Sequence, residues 1–215
     1  MTPPAGAAPF NAMAAPHIWP GTLRSPIGGR FAPSQPPYTL QVKSIMTFSV
    51  YDVTVPLFLR GFANLTVHLD KAAAFAGEKG IDPRELVAAR LIDDMLPLAG
   101  QVQRASDTAK ACAARLTGVT APAFPDEEAS LAELQERIEK TVAYLKTVPA
   151  EAFDGAETRS VTLRSRSGET HFVGRDYLFQ HALPNFYFHL TTAYGILRMK
   201  GVPIGKTDFL GRFGS

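Results

Sequence analysis

The chain has a single cysteine in 215 residues, Cys112, so no disulfide can form within it and a reducing, cytoplasmic location is expected. Flanked by Ala111 and Ala113, that thiol reads as a small packed residue on a helix and not as a nucleophile. An excess of charge of one sign is also lacking. The 22 Lys and Arg nearly balance 20 Asp and Glu, and no dense basic cluster is interleaved with aromatics, which leaves nucleic acid without support as a partner. No apolar run approaches the roughly 20 residues that a bilayer crossing requires, so no membrane partner is expected either. Serine and cysteine have no neighbours resembling an activated nucleophile, and no two carboxylates can be paired from spacing alone.

Acidic residues are wholly absent from the first 44 positions, which are rich in Pro, Ala and Gly. Such a stretch cannot bury enough apolar surface to offset its ordering entropy, so residues 1–45 are expected to be a disordered leader. It has neither an amphipathic Arg-rich helix nor a signal-peptide hydrophobic region. A translation start assigned upstream of Met46 is the simpler account. What remains, 46–215, has the composition of an ordinary globular domain, the whole chain being 46% hydrophobic and 20% charged.

Within that domain the apolar residues recur at helical spacing. Leu57, Gly61, Leu65, Leu69, Ala72 and Ala76 mark a first helix from about Ser49, with Pro56 demanding either a kink or a later start. Asp82-Pro83-Arg84-Glu85 opens a short helix running to about Arg90. Leu98, Val102, Ala105, Ala109, Cys112 and Leu116 form the stripe of the second long helix, closed by Gly118. Ser130 and Glu133 form a capping box for a third, carried by Leu134, Ile138, Val142 and Leu145. Residues 158–173 alternate as a small hairpin, and Arg175 to Lys200 forms the last long helix, bent at Pro184. Four long amphipathic segments predict an all-α four-helix bundle with a short β-hairpin before the last long helix.

The last helix sets His181, Asn185 and His189 four residues apart in an apolar pattern. At 100° per residue, Leu178, Ala182, Asn185, His189, Ala193 and Ile196 share a face, which turns an amide and an imidazole towards the core. Buried, they need a partner, an ion or a water-filled cavity. His181 and His189 lie about 12 Å apart along the axis, too far to share one ion, so the pattern centres on Asn185 and His189. Ligands from other helices would be His68, Gln101, Gln103 or Asp107, with Gln101 nearest the apolar stripe. The simpler alternative is an Asn185–His189 hydrogen bond that satisfies backbone groups freed at the proline. The tail Gly201-Val202-Pro203-Ile204-Gly205-Lys206-Thr207 is not a phosphate-binding loop, because it has one residue too few and follows a helix; Lys206 and Asp208 are expected to pin it to the bundle.

The pieces ARLIDDMLPLAGQVQRASDTAK, ALPNFYFHLTTAYGILR and GVPIGKTDFLG resemble the family called domain of unknown function 1993, over Met46 to about Phe213. That family is similar in fold to the DinB/YfiT-like metalloenzyme superfamily, four-helix bundles that often dimerise. The resemblance implies a DinB-like bundle, a homodimer, and a site where relatives hold a divalent ion (Zn, Ni or Fe) with three histidines. Here His189 matches the second histidine of the relatives' His-x-x-x-His, Asn185 stands in place of the first, and the second helix offers Gln101, Gln103 or Asp107 but no histidine. Two functions follow as expectations. One is a degenerate metal-dependent enzyme acting on a small molecule, with His189 as ligand or general base and Asn185 and Gln101 beside it. The other is a non-catalytic binding or dimerising bundle in which the pair is structural.

Overall fold

A computed structural model of the chain describes residues 48–165 and 168–213. The leader expected over 1–45 and the start at Met46 lie outside the described residues. The long helices are α1 (Val55–Lys79), α3 (Leu98–Thr117), α4 (Leu131–Thr147) and α6 (Leu183–Met199), with the short α2 (Pro83–Ala88) between the first two. α3 packs on α6 and α4, and α1 packs on α4 and α6, so the four close into a ring around one core. β1 (Ser160–Ser165) and β2 (Gly168–Val173) pair antiparallel, Val161 opposite Phe172, just before the terminal helical run. The architecture is a four-helix bundle with a hairpin inserted before its last long helix, as the spacing predicts.

Local chemistry accounts for most helix ends. Ser130 Oγ accepts from Glu133 N at 3.2 Å while the Glu133 carboxylate accepts from Ser130 N at 2.9 Å, the reciprocal capping box that starts α4. Asp82 caps α2 through Arg84 N, and Gly118, at φ 82°, ends α3 with its N–H on the Ala114 carbonyl. α1 begins at Val55, six residues after the expected Ser49, because Pro56 has no N–H and fits only the first turn. The preceding residues form a turn instead, with Ser49 and Asp52 bonded reciprocally and Thr54 Oγ1 donating to the Val50 carbonyl at 2.7 Å.

The ring is tight where α1 meets α6. A Cβ on Gly61 would lie 2.6 Å from the Phe186 ring, which packs edge-on against Phe58 and Phe62 with centroids 4.8 and 5.2 Å away. The tail is held to α1 by α7 (Lys206–Leu210). Asp208 pairs with Lys71 at 2.7 Å and caps Gly205, and Asn64 donates to the Phe209 carbonyl. The expected pin is thus Asp208 with Lys71, whereas Lys206 projects from the first turn of α7 as an exposed residue.

The terminal run carries the main departure from simple periodicity. α5 (Gly174–Tyr177) passes directly into a π-helical turn over Leu178–Ala182, which passes into α6, where Pro184 occupies the first turn. Leu183 N–H bonds the Leu178 carbonyl, five residues back. The wider turn accommodates a proline that can neither donate nor sit against the carbonyl four residues earlier.

Candidate functional site

The expected site residues divide into two rungs across the α3–α6 interface. On the first, His189 Nδ1 lies 2.8 Å from Gln101 Oε1, and both side chains are buried, at 8% and 1% exposure. Gln101 Nε2 donates to the Leu96 carbonyl at 2.9 Å, at the entry to α3. With its amide nitrogen committed there, Gln101 presents an oxygen, which only accepts; Nδ1 of His189 must therefore carry the proton and Nε2 the lone pair. Burial, and then the Arg104 guanidinium, push the His189 pKa below its ordinary range. The imidazole is neutral at pH 7.

On the second rung Asn185 Nδ2 donates to Thr108 Oγ1 at 2.7 Å, and Thr108 in turn donates to the Arg104 carbonyl at 2.7 Å. The expected Asn185–His189 hydrogen bond does not form. Each side chain is instead taken by a partner on α3, the amide by Thr108 and the imidazole by Gln101, and Asn185 lies at the half-buried edge of α6.

Of the other candidates, Gln103 and His68 lie elsewhere, while Asp107 and His181 line a cleft beside the second rung. Gln103 donates to Glu128 at 2.8 Å, and Asp107 pairs with Arg104, Lys110 and Arg137, both turned towards α4 and its preceding loop. His68 on α1 is buried between Tyr194 and Phe209, its two ring nitrogens without a hydrogen-bond partner among the described residues, and burial keeps it neutral. His181 stacks on Tyr177 with centroids 5.7 Å apart. Cys112 is fully buried, which pushes its thiol pKa far up and leaves it inert, as expected for a packing residue.

This donor set fits a divalent transition ion poorly. It offers one imidazole nitrogen, an amide oxygen already taken by His189 Nδ1–H, and a second amide drawn away to Thr108. Among the described residues no three His, Cys, Asp or Glu side chains gather into a metal-binding group. Arg104 adds a positive charge that acts on the imidazole.

Beside the second rung lies a cleft of about 220 Å³ whose lining includes Arg104, Thr108 and Arg115 of α3 and Tyr177, His181 and Asn185 of the terminal run. Its arginines, tyrosine and threonine were not singled out from sequence. The signal is present as two ridges: positions 104, 108, 111 and 115 fall on one face of α3, and 177, 181 and 185 are each four apart on the facing run.

Among the described residues no helix is long and apolar enough to cross a membrane. Comparison with curated proteins gave no match. Among solved structures the chain is similar to one described as a DinB family member protein from Shewanella denitrificans, with 43% sequence identity, a TM-score of 0.72, and coverage of 77% of this chain and 93% of that one. Residues 50–210 match the family described as Domain of unknown function (DUF1993). That match spans most of the chain and every helix and strand described above, and the chain belongs to this family.

Proposed function

We propose that this protein is a non-catalytic, small-molecule-binding bundle in which the Gln101–His189 pair is structural. The observation that carries this reading is the closed hydrogen-bond chain from His189 Nδ1 through Gln101 to the Leu96 carbonyl, which ties α6 to the start of α3. Nδ1–H of His189 and Oε1 of Gln101 satisfy each other, so the contact between them needs no ion. The cleft beside the Asn185–Thr108 rung offers room and polar groups for a ligand smaller than the usual drug-sized occupant of a pocket.

One observation favours a second reading, the metal-dependent enzyme acting on a small molecule. A neutral imidazole held by an Nδ1–H bond to a carbonyl oxygen, with its Nε2 lone pair free, is also how metal-ligating and general-base histidines are oriented. Elemental analysis of protein purified without a histidine tag separates the two, with His189→Ala as control. The expected result is less than about 0.1 equivalents of Zn, Ni or Fe, and a variant that is less stable by about 1–3 kcal/mol because Gln101 loses its partner. A stoichiometric metal lost on mutation overturns the structural reading.

A homodimer and a cytoplasmic location belong to the same proposal. The single buried thiol supports the second. Exposed Phe188 and Met199 on one stripe of α6, with Leu91 and Ile92 also exposed and Leu91 beside Gly195 on that stripe, support the first. Sedimentation equilibrium is expected to give twice the chain mass; a monomer at all concentrations rejects the dimer.

A further inference from the structure

We propose that the cleft between α3 and the terminal helical run binds a small oxyanion, a carboxylate or phosphate group, with Arg115 as its principal anchor. This rests on the binding reading above and names the chemical class of its ligand.

Charge balance within the cleft is the first reason. Its one carboxylate, Asp107, is already surrounded by Arg104 at 3.2 Å, Lys110 at 3.2 Å and Arg137 at 2.9 Å. Arg104 is shared between Asp107 and Asp126. Arg115, by contrast, has no carboxylate partner among the described residues; its only hydrogen bond there runs from Nη1 to the Tyr177 hydroxyl at 3.0 Å. The cleft therefore has an uncompensated positive charge on one wall.

The second reason is preorganisation. Tyr177 is buried at 1% exposure, and the Arg115 guanidinium carbon lies 5.7 Å from its ring centroid. Burial pushes the Tyr177 pKa up to about 12 despite the arginine, so the phenol stays protonated and is a neutral acceptor for Arg115. One of the five guanidinium N–H groups is spent on orientation, and the rest of the fork is free for the bidentate geometry that carboxylates and phosphates accept. An otherwise mobile side chain is thereby aimed before any ligand arrives, which reduces the entropy cost of binding.

Polar groups opposite complete the arrangement. His181 stacks on the same tyrosine, and Asn185 stands one turn further along with its nitrogen committed to Thr108. His181 and Asn185, four residues apart on the terminal run, both line this wall. Ala111 keeps the floor low between Thr108 and Arg115.

The test is calorimetric titration of the full chain with sodium phosphate and, in a separate arm, sodium succinate, at ionic strength held constant with chloride. One saturable site is expected for at least one anion, and the tighter arm identifies the group recognised. Arg115→Gln is expected to weaken that affinity by about tenfold or more, while Arg164→Gln on the hairpin leaves it unchanged. Arg115→Lys, which keeps the charge and loses the fork, is expected to fall between them. Ala111→Leu fills the cleft without touching a charge and is expected to abolish binding; circular dichroism verifies that each variant is folded. Saturable binding that survives Arg115→Gln and Ala111→Leu, or no saturable binding of either anion, overturns the proposal. Its failure is distinct from that of the structural reading of His189, which stands or falls on the metal content of the same preparation.

Discussion

Replacing Arg137 by methionine is expected to lower the unfolding free energy by roughly 3–5 kcal/mol, read from urea denaturation. Arg137 is 2% exposed in the middle of α4, yet it carries a full charge. Nη2 meets Asp107 at 2.9 Å and Asp126 at 3.0 Å, and Nη1 meets Glu128 at 2.8 Å and the Pro125 carbonyl at 2.9 Å. Lys110, also nearly buried, lies over the Phe124 ring at 3.7 Å and bonds the Pro122 carbonyl. The cluster is what fastens the irregular stretch between α3 and α4 to both helices. Methionine keeps much of the stem's packing, so the loss isolates the charge: Glu128, whose side chain is only 12% exposed, loses its cation and becomes a costly unpaired buried charge, while the more exposed Asp107 and Asp126 keep Arg104. A loss below about 1 kcal/mol would mean that the cluster behaves as solvent-screened surface pairs do.

The same cluster sets a pH dependence. Burial by itself would raise the Glu128 pKa, but the hydrogen bonds from Arg137 and Gln103 outweigh it and hold the carboxyl below its ordinary value. A group whose folded pKa is depressed stabilises fully above its unfolded pKa, about 4.3 for glutamate, and that contribution fades as pH falls through the folded value. In Arg137→Met the depression is lost and burial dominates. The gap between wild type and variant is therefore expected to be widest near neutrality and to shrink below about pH 4. His189 and His181, both depressed by burial first, work in the same direction at higher pH, destabilising the fold as pH falls below about 6.5.

Gly174→Ala is expected to cost at least the roughly 3 kcal/mol that marks the upper end of ordinary overpacking. An added Cβ would lie 1.9 Å from the Ala156 carbonyl oxygen and 3.1 Å from Leu116 Cδ2. The first obstacle is backbone, in the 3₁₀ turn Ala156–Thr158, and cannot swing aside as a side chain can. Gly61 makes the useful contrast, since its added Cβ would meet the ends of the Phe186 and Leu190 side chains, which can shift. Gly174 also begins α5, so displacement there would carry the whole terminal run off α3. Thermal melts should show a fall of about 6–12 °C, from roughly 2–4 °C per kcal/mol in a domain of this size. Gly77→Ala, on α1 with nothing within 4 Å of its added Cβ, should instead raise stability by up to about 1 kcal/mol. Equal behaviour of the two alanines would refute the steric account.

Helix existence was legible because its causes are local. Asp82 before Pro83, Ser130 three residues before Glu133, and Gly118 after the Leu98–Leu116 stripe each satisfy a backbone group within a turn of themselves. Spacing does not fix the start of α1, because Pro56 admits two solutions, a kinked helix or a later one, and the spacing of Leu57 and Gly61 fits either. The role of Arg137 is hidden for a different reason: periodicity treats a charged residue as solvated, and nothing near it in sequence announces that Asp107 will come from another helix.

By itself the sequence determined the four long helices, the hairpin between the third and the fourth, and the last helix as the place to look, because hydrophobic period and capping act over a few residues. Only the tertiary structure decided which way the polar groups turn. Asn185 turns to Thr108 and His189 to Gln101, and the orientation of each follows from a partner on another helix, 77 and 88 residues away in the chain. Contacts over that separation depend on how whole helices pack, and helical spacing carries no record of them.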